Sequence, residues 1–140
     1  MIRDLPRMGR AVADALLAAL AVTRARRAVR ERPVGQLVQS GQEPVVSAGS
    51  GGPAVGARWG LAVDRALRWL PGDSACLVRS HALRDLLLSN GIHDAVIRIG
   101  VRRGANGFEA HAWVEQDGRP VAEPVTLQGR FASLDGVTLR

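Results

Sequence analysis

The hydrophobic residues of this chain change their spacing near residue 91, and that change limits the folds that the chain can adopt. Before it, apolar residues recur at helical spacing in two segments that a Pro-Gly break at 71–72 separates. After it, apolar residues alternate from 95 to 101 and again from 108 to 115, which is typical of half-buried β-strands. Helices followed by strands predict an α+β fold, in which a helical front half packs on a small antiparallel sheet.

Composition divides the chain into three regions. Residues 1–39 are rich in Ala, Leu and Arg, and they favour a helix over about 8–32 that ends before Pro33. Residues 40–56 are rich in Gly, Ser and Pro and are predicted to form a linker or a mobile loop. Residues 57–140 contain the remaining predicted elements and form the predicted core.

The core region is predicted to contain two helices and at least three strands. The first helix ends at residue 70, and the second runs from about 74 to 89, where Asn90 and Gly91 are a common C-terminal signal. Strands are predicted over 95–101, 108–115 and 119–125, with turns at 104–107 and 116–118. The tail contains further apolar residues that favour a final strand: Phe131, Leu134 and Val137.

The charge of the chain is strongly basic, with a net charge of +6 and arginine at all 19 basic positions. A basic arm of the kind found before residue 35 can bind nucleic acid, an anionic membrane or an acidic peptide. No aromatic-rich stacking surface accompanies it, so nucleic-acid binding is not expected. The apolar stretch 11–22 is interrupted by Asp14 and is too short to span a bilayer. We therefore expect no membrane insertion and a cytoplasmic location.

Cys76 is the only cysteine, which excludes an internal disulfide and suits a reducing compartment. It follows a Pro-Gly break and two capping-type residues, Asp73 and Ser74, which places it in the first turn of a helix. The unpaired N–H groups and the positive dipole end there favour the thiolate, which is the nucleophilic form. Its position alone fits equally well a small buried side chain that has no chemical role.

A cysteine nucleophile needs a base, and three histidines are candidates. His81 lies on the same helix as Cys76, but at about 100° per residue it points roughly 140° away from it. His93 is predicted in the connection between helix and strand. His111 lies in the middle of a strand between two alanines, which leave room for another element to approach. We therefore take His111 as the candidate base.

The third member is predicted from the hairpin that follows His111. A three-residue loop at 116–118 would place Glu123 opposite His111, about 5 Å away across the strands. A two-residue loop would instead turn Glu123 to the other face of the sheet. Glu109 and Glu115 share the face of the histidine but are two positions away, so Glu123 ranks first.

These residues lie in motifs that resemble the bacterial transglutaminase-like superfamily and, within it, the leader peptidases of lasso-peptide biosynthesis. The similarity is to the C-terminal half of that family's fused B protein, or to its stand-alone form, over about residues 57–125. The motifs that carry it are Trp69-Leu70-Pro71, Cys76-Leu77-Val78-Arg79-Ser80, Arg98-Ile99-Gly100-Val101, Ala110-His111-Ala112-Trp113-Val114-Glu115 and Asp117-Gly118.

The resemblance implies a papain-like cysteine protease that removes the leader from a ribosomally made precursor peptide. Its implied partners are that precursor, a separate leader-recognition protein and an ATP-dependent cyclase, with no cofactor and no metal. Carried over, Cys76 is the nucleophile and His111 the base, and Glu123 stands where the family usually has aspartate. Trp113 either lines the substrate cleft or belongs to the core. Arg79 has an expected structural role, pairing with a carboxylate or capping a strand end.

Three other functions fit parts of the pattern. A non-catalytic module could bind a peptide by strand addition at the edge of the sheet. An acyl transferase would use the same Cys76 and His111, with an amine in place of water as the acceptor. A metal site could combine Cys76, His93 and His111, but the sequence lacks a closely spaced ligand pair such as Cys-x-x-Cys.

Overall fold

The computed structural model describes residues 5–33, 36, 53–72, 75–124 and 130–133. In this part of the chain, three α-helices precede four β-strands. The helices are α1 (Leu5–Glu31), α2 (Pro53–Trp69) and α3 (Cys76–Ser89). The strands are β1 (Val96–Gly104), β2 (Gly107–Gln116), β3 (Arg119–Pro120) and β4 (Ala132–Ser133), in one sheet of order β3-β2-β1-β4.

The predicted α+β architecture is confirmed. All strand pairs are antiparallel, and α3 packs against both β1 and β2. The predicted linker extends to residue 56, but α2 begins at Pro53, so residues 53–56 are helical; proline suits the first position of a helix because no N–H is needed there. Residues 40–52 of the predicted linker, residues 125–129 and the tail beyond 133 lie outside the described residues.

Helix α1 belongs to the same core as α2 and α3, because small side chains on its inner face allow close approach. Ala18, Val22 and Ala25 are fully buried there. Arg26 reaches from α1 to the end of α2, donating to the carbonyls of Pro71 at 3.0 Å and Leu70 at 3.3 Å. These carbonyls follow the last turn of α2, where helical acceptors lack intrahelical donors, so Arg26 caps that end.

The centre of the core is formed by apolar side chains from the helices, from β2 and from the connection between α3 and β1. Those that are fully buried include Trp59, Val63, Leu83, Leu87, Ile92 and Val114. Full burial of an apolar side chain of this size contributes about 1.5–3 kcal/mol to folding. The core thereby fixes the start of α3 against the middle of β2.

Both hairpins have loops of two residues. β1 and β2 pair from Val96↔Glu115 to Gly104↔Gly107, so the turn predicted over 104–107 is present, with 105 and 106 as its loop residues. β2 and β3 pair as Gln116↔Arg119, so the predicted three-residue loop is wrong. The loop contains only Asp117 and Gly118, with φ values of 52° and 70°. Two left-handed residues form the type I′ turn, whose twist matches that of a two-residue hairpin.

The strand predicted over 119–125 is also too long. β3 ends at Pro120, a residue that an edge strand tolerates because its backbone groups face away from β2, whereas those of residues 119 and 121 face it. Val121 still donates its N–H to the Val114 carbonyl at 2.8 Å. Ala122 then adopts a left-handed conformation, with a φ of 53°, and the chain leaves the sheet.

No described helix has the length and the hydropathy that crossing a bilayer requires.

Candidate active site

Cys76 is the first residue of α3, as its sequence context predicts. The N-cap is Ala75, which makes no side-chain capping bond, and the first intrahelical bond runs from Arg79 N–H to the Ala75 carbonyl at 3.1 Å. The N–H groups of the first turn therefore precede the hydrogen-bonded part of the helix. They and the helix dipole can stabilise negative charge on a sulfur or on an oxygen placed there.

The sulfur of Cys76 lies against the strand that carries His111. Residues 112 and 114 direct their backbone groups to the same edge of β2, because backbone groups alternate along a strand. At 114, this edge is paired with Val121. At 112, where β3 has already ended, the N–H donates instead to Cys76 Sγ at 3.4 Å. Because β3 has ended, this edge of β2 is open at residue 112, and Cys76 at the start of α3 lies beside it. Residue 112 directly follows His111 in β2.

His111 and Glu123 are in direct contact. His111 Nε2 lies 2.9 Å from Glu123 Oε2, and the two side chains are 18% and 5% exposed. The sequence predicts this pair, but from a strand register that is wrong. With the observed two-residue loop, a regular β3 would carry Glu123 to the opposite face of the sheet. The left-handed backbone of Ala122 breaks the alternation and returns Glu123 to the histidine.

Arg79 joins the site from the next turn of α3. Its Nη1 donates to Glu123 Oε1 at 3.0 Å, and its Nη2 donates to the Ala122 carbonyl at 2.7 Å. Its Nε and Nη2 also donate to the Asp64 carboxylate, at 2.7 and 3.3 Å. Arg79 is expected to pair with a carboxylate, and in the structure it pairs with two, those of Glu123 and Asp64. Asp64 was not singled out from the sequence, because its position relative to Arg79 depends on how α2 packs on α3.

Two aromatic rings flank His111. The Trp113 ring lies 6.0 Å from the histidine ring at an interplanar angle of 19°, and the Phe131 ring lies 5.1 Å away at 36°. Trp113 is only 8% exposed and donates through Nε1 to Glu115 at 2.9 Å. This burial agrees with the core alternative for Trp113, and its contact with a substrate stays a prediction. Phe131 was expected only as part of a tail strand.

The other two histidines lie elsewhere. His81 Nδ1 is 3.4 Å from the Asp85 carboxylate on its own helix, and His93 is half-buried in the connection before β1. Within the ranges that the structure describes, no group of three or more His, Cys, Asp or Glu side chains is arranged to hold a metal ion. The arrangement of Cys76, His111 and Glu123 instead suits nucleophilic chemistry, with a thiol, a base and a carboxylate that orients the base.

Comparison with known proteins gives the family. No curated protein and no solved structure matches the chain. The family model of the transglutaminase-like superfamily matches residues 7–135, a range that includes α1 as well as the residues of the site. Members of this superfamily are often cysteine proteases or acyltransferases. A match over most of the length, with the cysteine, histidine and carboxylate inside it, means that the chain belongs to the transglutaminase-like superfamily.

Proposed function

We propose that this protein is a cysteine peptidase that removes the leader from a ribosomally synthesised lasso-peptide precursor. The observation that carries the peptidase chemistry is the His111–Glu123 contact of 2.9 Å beside the strand position that holds the Cys76 sulfur. The resemblance of the motifs around Cys76 and His111 to lasso leader peptidases supports the substrate. The family match supports cysteine-based acyl chemistry in general.

Each of the three side chains has a role in the proposed reaction. With Nε2 of His111 as the donor to Glu123, the other ring nitrogen, Nδ1, exchanges protons at the sulfur. The Cys76 thiolate attacks the carbonyl carbon at the leader–core junction and forms a C–S bond. The C–N bond then breaks, and His111 transfers the thiol's former proton to the leaving amine. Water hydrolyses the acyl-enzyme, with His111 as the base, and frees the thiol.

The developing oxyanion has a place at the start of α3. The first-turn N–H groups of that helix, with Cys76 at its first position, supply donors that need not reorganise during the reaction. We include in the proposal a separate leader-recognition protein that delivers the precursor, and an ATP-dependent cyclase that takes the released core. Cytoplasmic location also belongs to the proposal.

An acyl transferase is the second candidate, because the superfamily includes acyltransferases and the same acyl-enzyme can react with an amine. The product distinguishes the two functions. Hydrolysis adds the elements of water to the acyl fragment, whereas transfer leaves an amide whose mass includes the acceptor amine. A reaction that contains a small primary amine therefore tests both functions together.

The experiment is mass spectrometry of a lasso precursor peptide incubated with this protein and its presumed recognition partner. The proposal predicts one cut at the leader–core junction, which Cys76→Ala abolishes while its thermal unfolding midpoint stays close to that of the parent. A cut that persists in Cys76→Ala would contradict the proposal. So would an intact peptide in the parent reaction when both proteins are folded and the peptide is bound, a result that favours a binding module.

A further inference from the structure

Glu123 is a buried carboxylate with a charged or chargeable neighbour on each oxygen. Oε1 accepts from Arg79 at 3.0 Å, Oε2 faces His111 at 2.9 Å, and the side chain is 5% exposed. Burying an ionised carboxylate is costly unless a charged group pairs with it. Arg79 from α3 and His111 from β2 face this carboxylate, with Asp64 of α2 behind Arg79.

Arg79 is held more firmly than a surface arginine. Its side chain is 15% exposed, and its planar guanidinium contacts Asp64, Glu123 and the Ala122 carbonyl together. Because the donors of a guanidinium are fixed in one plane, a bond to Asp64 also fixes the direction of the bond to Glu123. The contact with Ala122 holds the backbone of the left-handed residue that turns Glu123 toward the histidine.

The electrostatics agree with this arrangement. Burial acts to lower the pKa of Arg79, but the hydrogen bond and the charge of Asp64, together with the charge of Glu123, raise that pKa above its ordinary value. Arg79 therefore stays charged near neutral pH, and it supplies a positive charge next to Glu123.

We propose that Arg79 is a positioning residue of the active site, which fixes Glu123 so that its second oxygen orients His111. The inference rests on the proposed function, and it adds Arg79 to Cys76, His111 and Glu123 as a fourth residue of the site. Arg79 bonds to the far oxygen of Glu123 and acts through that carboxylate. Asp64 acts one step further away, by holding the guanidinium against α2. An arginine with a purely structural role would affect stability, but in a folded variant its replacement would not lower kcat through Glu123.

A double-mutant cycle separates these two roles. Arg79→Lys keeps a positive charge between the two carboxylates, which protects folding, but loses the planar fork. We expect Arg79→Lys to lower kcat for precursor cleavage about 10- to 100-fold with little change in KM, because a small displacement of a catalytic group has effects of this size. In a Glu123→Ala background the same change should cost less than about 3-fold, because the group through which Arg79 acts is gone.

Arg84→Lys is the matched control. Arg84 lies on the same helix and donates its Nε to the Ala95 carbonyl at 2.9 Å, outside the site. Its replacement should leave kcat within about 2-fold of the parent. Equal losses from Arg79→Lys in both backgrounds, or unchanged kcat in a folded Arg79→Lys protein, would overturn the positioning role.

The role of Arg79 can be tested even if the proposed function is wrong. If the parent does not cut the precursor, the cycle is measured on the rate at which iodoacetamide alkylates Cys76 at pH 7, which needs no substrate. Arg79→Lys should slow this alkylation in the parent background but not in Glu123→Ala. Equal slowing in both backgrounds, or none in either, would again overturn the inference about Arg79, whatever the substrate.

Discussion

At the scale of single residues, two glycines provide the space in which the site is assembled. A Cβ on Gly60 of α2 would lie 2.2 Å from the Cβ of Ala122. A Cβ on Gly100 of β1 would lie 2.7 Å from the Trp113 ring and 2.8 Å from Phe131 Cβ. Real Cβ atoms do not approach other atoms so closely. Because Gly60 has no side chain, α2 can touch Ala122, next to Glu123. Because Gly100 has none, the side chains of Trp113 and Phe131 can lie across β1.

Gly60→Ala should therefore destabilise the fold, although alanine is the better helix former. The new methyl group must displace the left-handed Ala122, and overpacking of this kind costs about 1–3 kcal/mol in the free energy of unfolding. The matched control is Gly9→Ala on α1, where a Cβ meets nothing within 4 Å. That change should stabilise the protein by up to about 1 kcal/mol. Urea unfolding of both variants checks this, and a Gly60→Ala protein as stable as Gly9→Ala would contradict the packing described here.

The residues with local signals could be predicted from the sequence. Cys76 follows a Pro-Gly break, and His111 lies within an alternating strand, so both placements agree with the structure. Asp64 and Phe131 have no such signal. Asp64 reaches Arg79 only because α2 packs on α3, and Phe131 reaches His111 from a segment that follows the site in the chain.

At the scale of elements, α1 and α2 are joined by an ion pair as well as by apolar packing. Arg58 Nε of α2 donates to Asp14 Oδ2 of α1 at 2.6 Å, and the side chain of Asp14 is 14% exposed. The hydrogen bond from Arg58 is the main cause that lowers the pKa of Asp14 below its ordinary value of 3.8; burial opposes it, and the charges of Arg58 and Arg10 add to it.

This pair should make the stability of the helical layer depend on pH. Because the pKa of folded Asp14 lies below 3.8, its carboxylate stabilises the folded state above that pH, and the stabilisation is lost as the pH falls through the folded pKa. Asp14→Asn should lower the free energy of unfolding by about 0.5–1 kcal/mol at pH 7 and by a smaller amount at pH 3. Chemical denaturation at both pH values measures this difference.

A second ion pair on α1 is the control for that experiment. Arg27 and Glu31 lie one helical turn apart with side chains 79% and 59% exposed, so Glu31→Gln should change the free energy of unfolding by at most about 0.5 kcal/mol. An effect of Asp14→Asn that is the same at both pH values would mean that the Asp14 charge does not contribute to folding.

The hairpin of β2 and β3 shows where prediction from sequence fails at this scale. Asp-Gly fits a two-residue loop as well as the end of a three-residue loop, so the register of β3 could not be chosen from the sequence. The left-handed backbone of Ala122 turns Glu123 back to the face of His111, where the wrong register had also placed it. Alanine gives no sequence signal for that conformation. The sequence thus predicts the pairing of Glu123 with His111 from a three-residue loop, whereas in the structure the conformation of Ala122 brings the two side chains together.

At the scale of the whole molecule, the site belongs to no single element. The cysteine is at the start of α3, the histidine is in the middle of β2, and the glutamate lies beyond the end of β3. The common core of α1, α2 and α3 fixes these positions. The family match extends over 7–135, whereas the motifs recognisable in the sequence cover about 57–125, because α1 contributes packing and few distinctive residues.

In the proposed mechanism His111 and Glu123 activate Cys76, and the rate at which Cys76 is alkylated measures this activation. The chain has one cysteine, so iodoacetamide at pH 7 gives a single adduct that intact-mass spectrometry follows without a substrate. We expect His111→Gln to slow alkylation at least about 10-fold, because the base that helps to form the thiolate is lost. The same rate for His111→Gln and the parent, with both proteins folded, would mean that His111 does not activate Cys76.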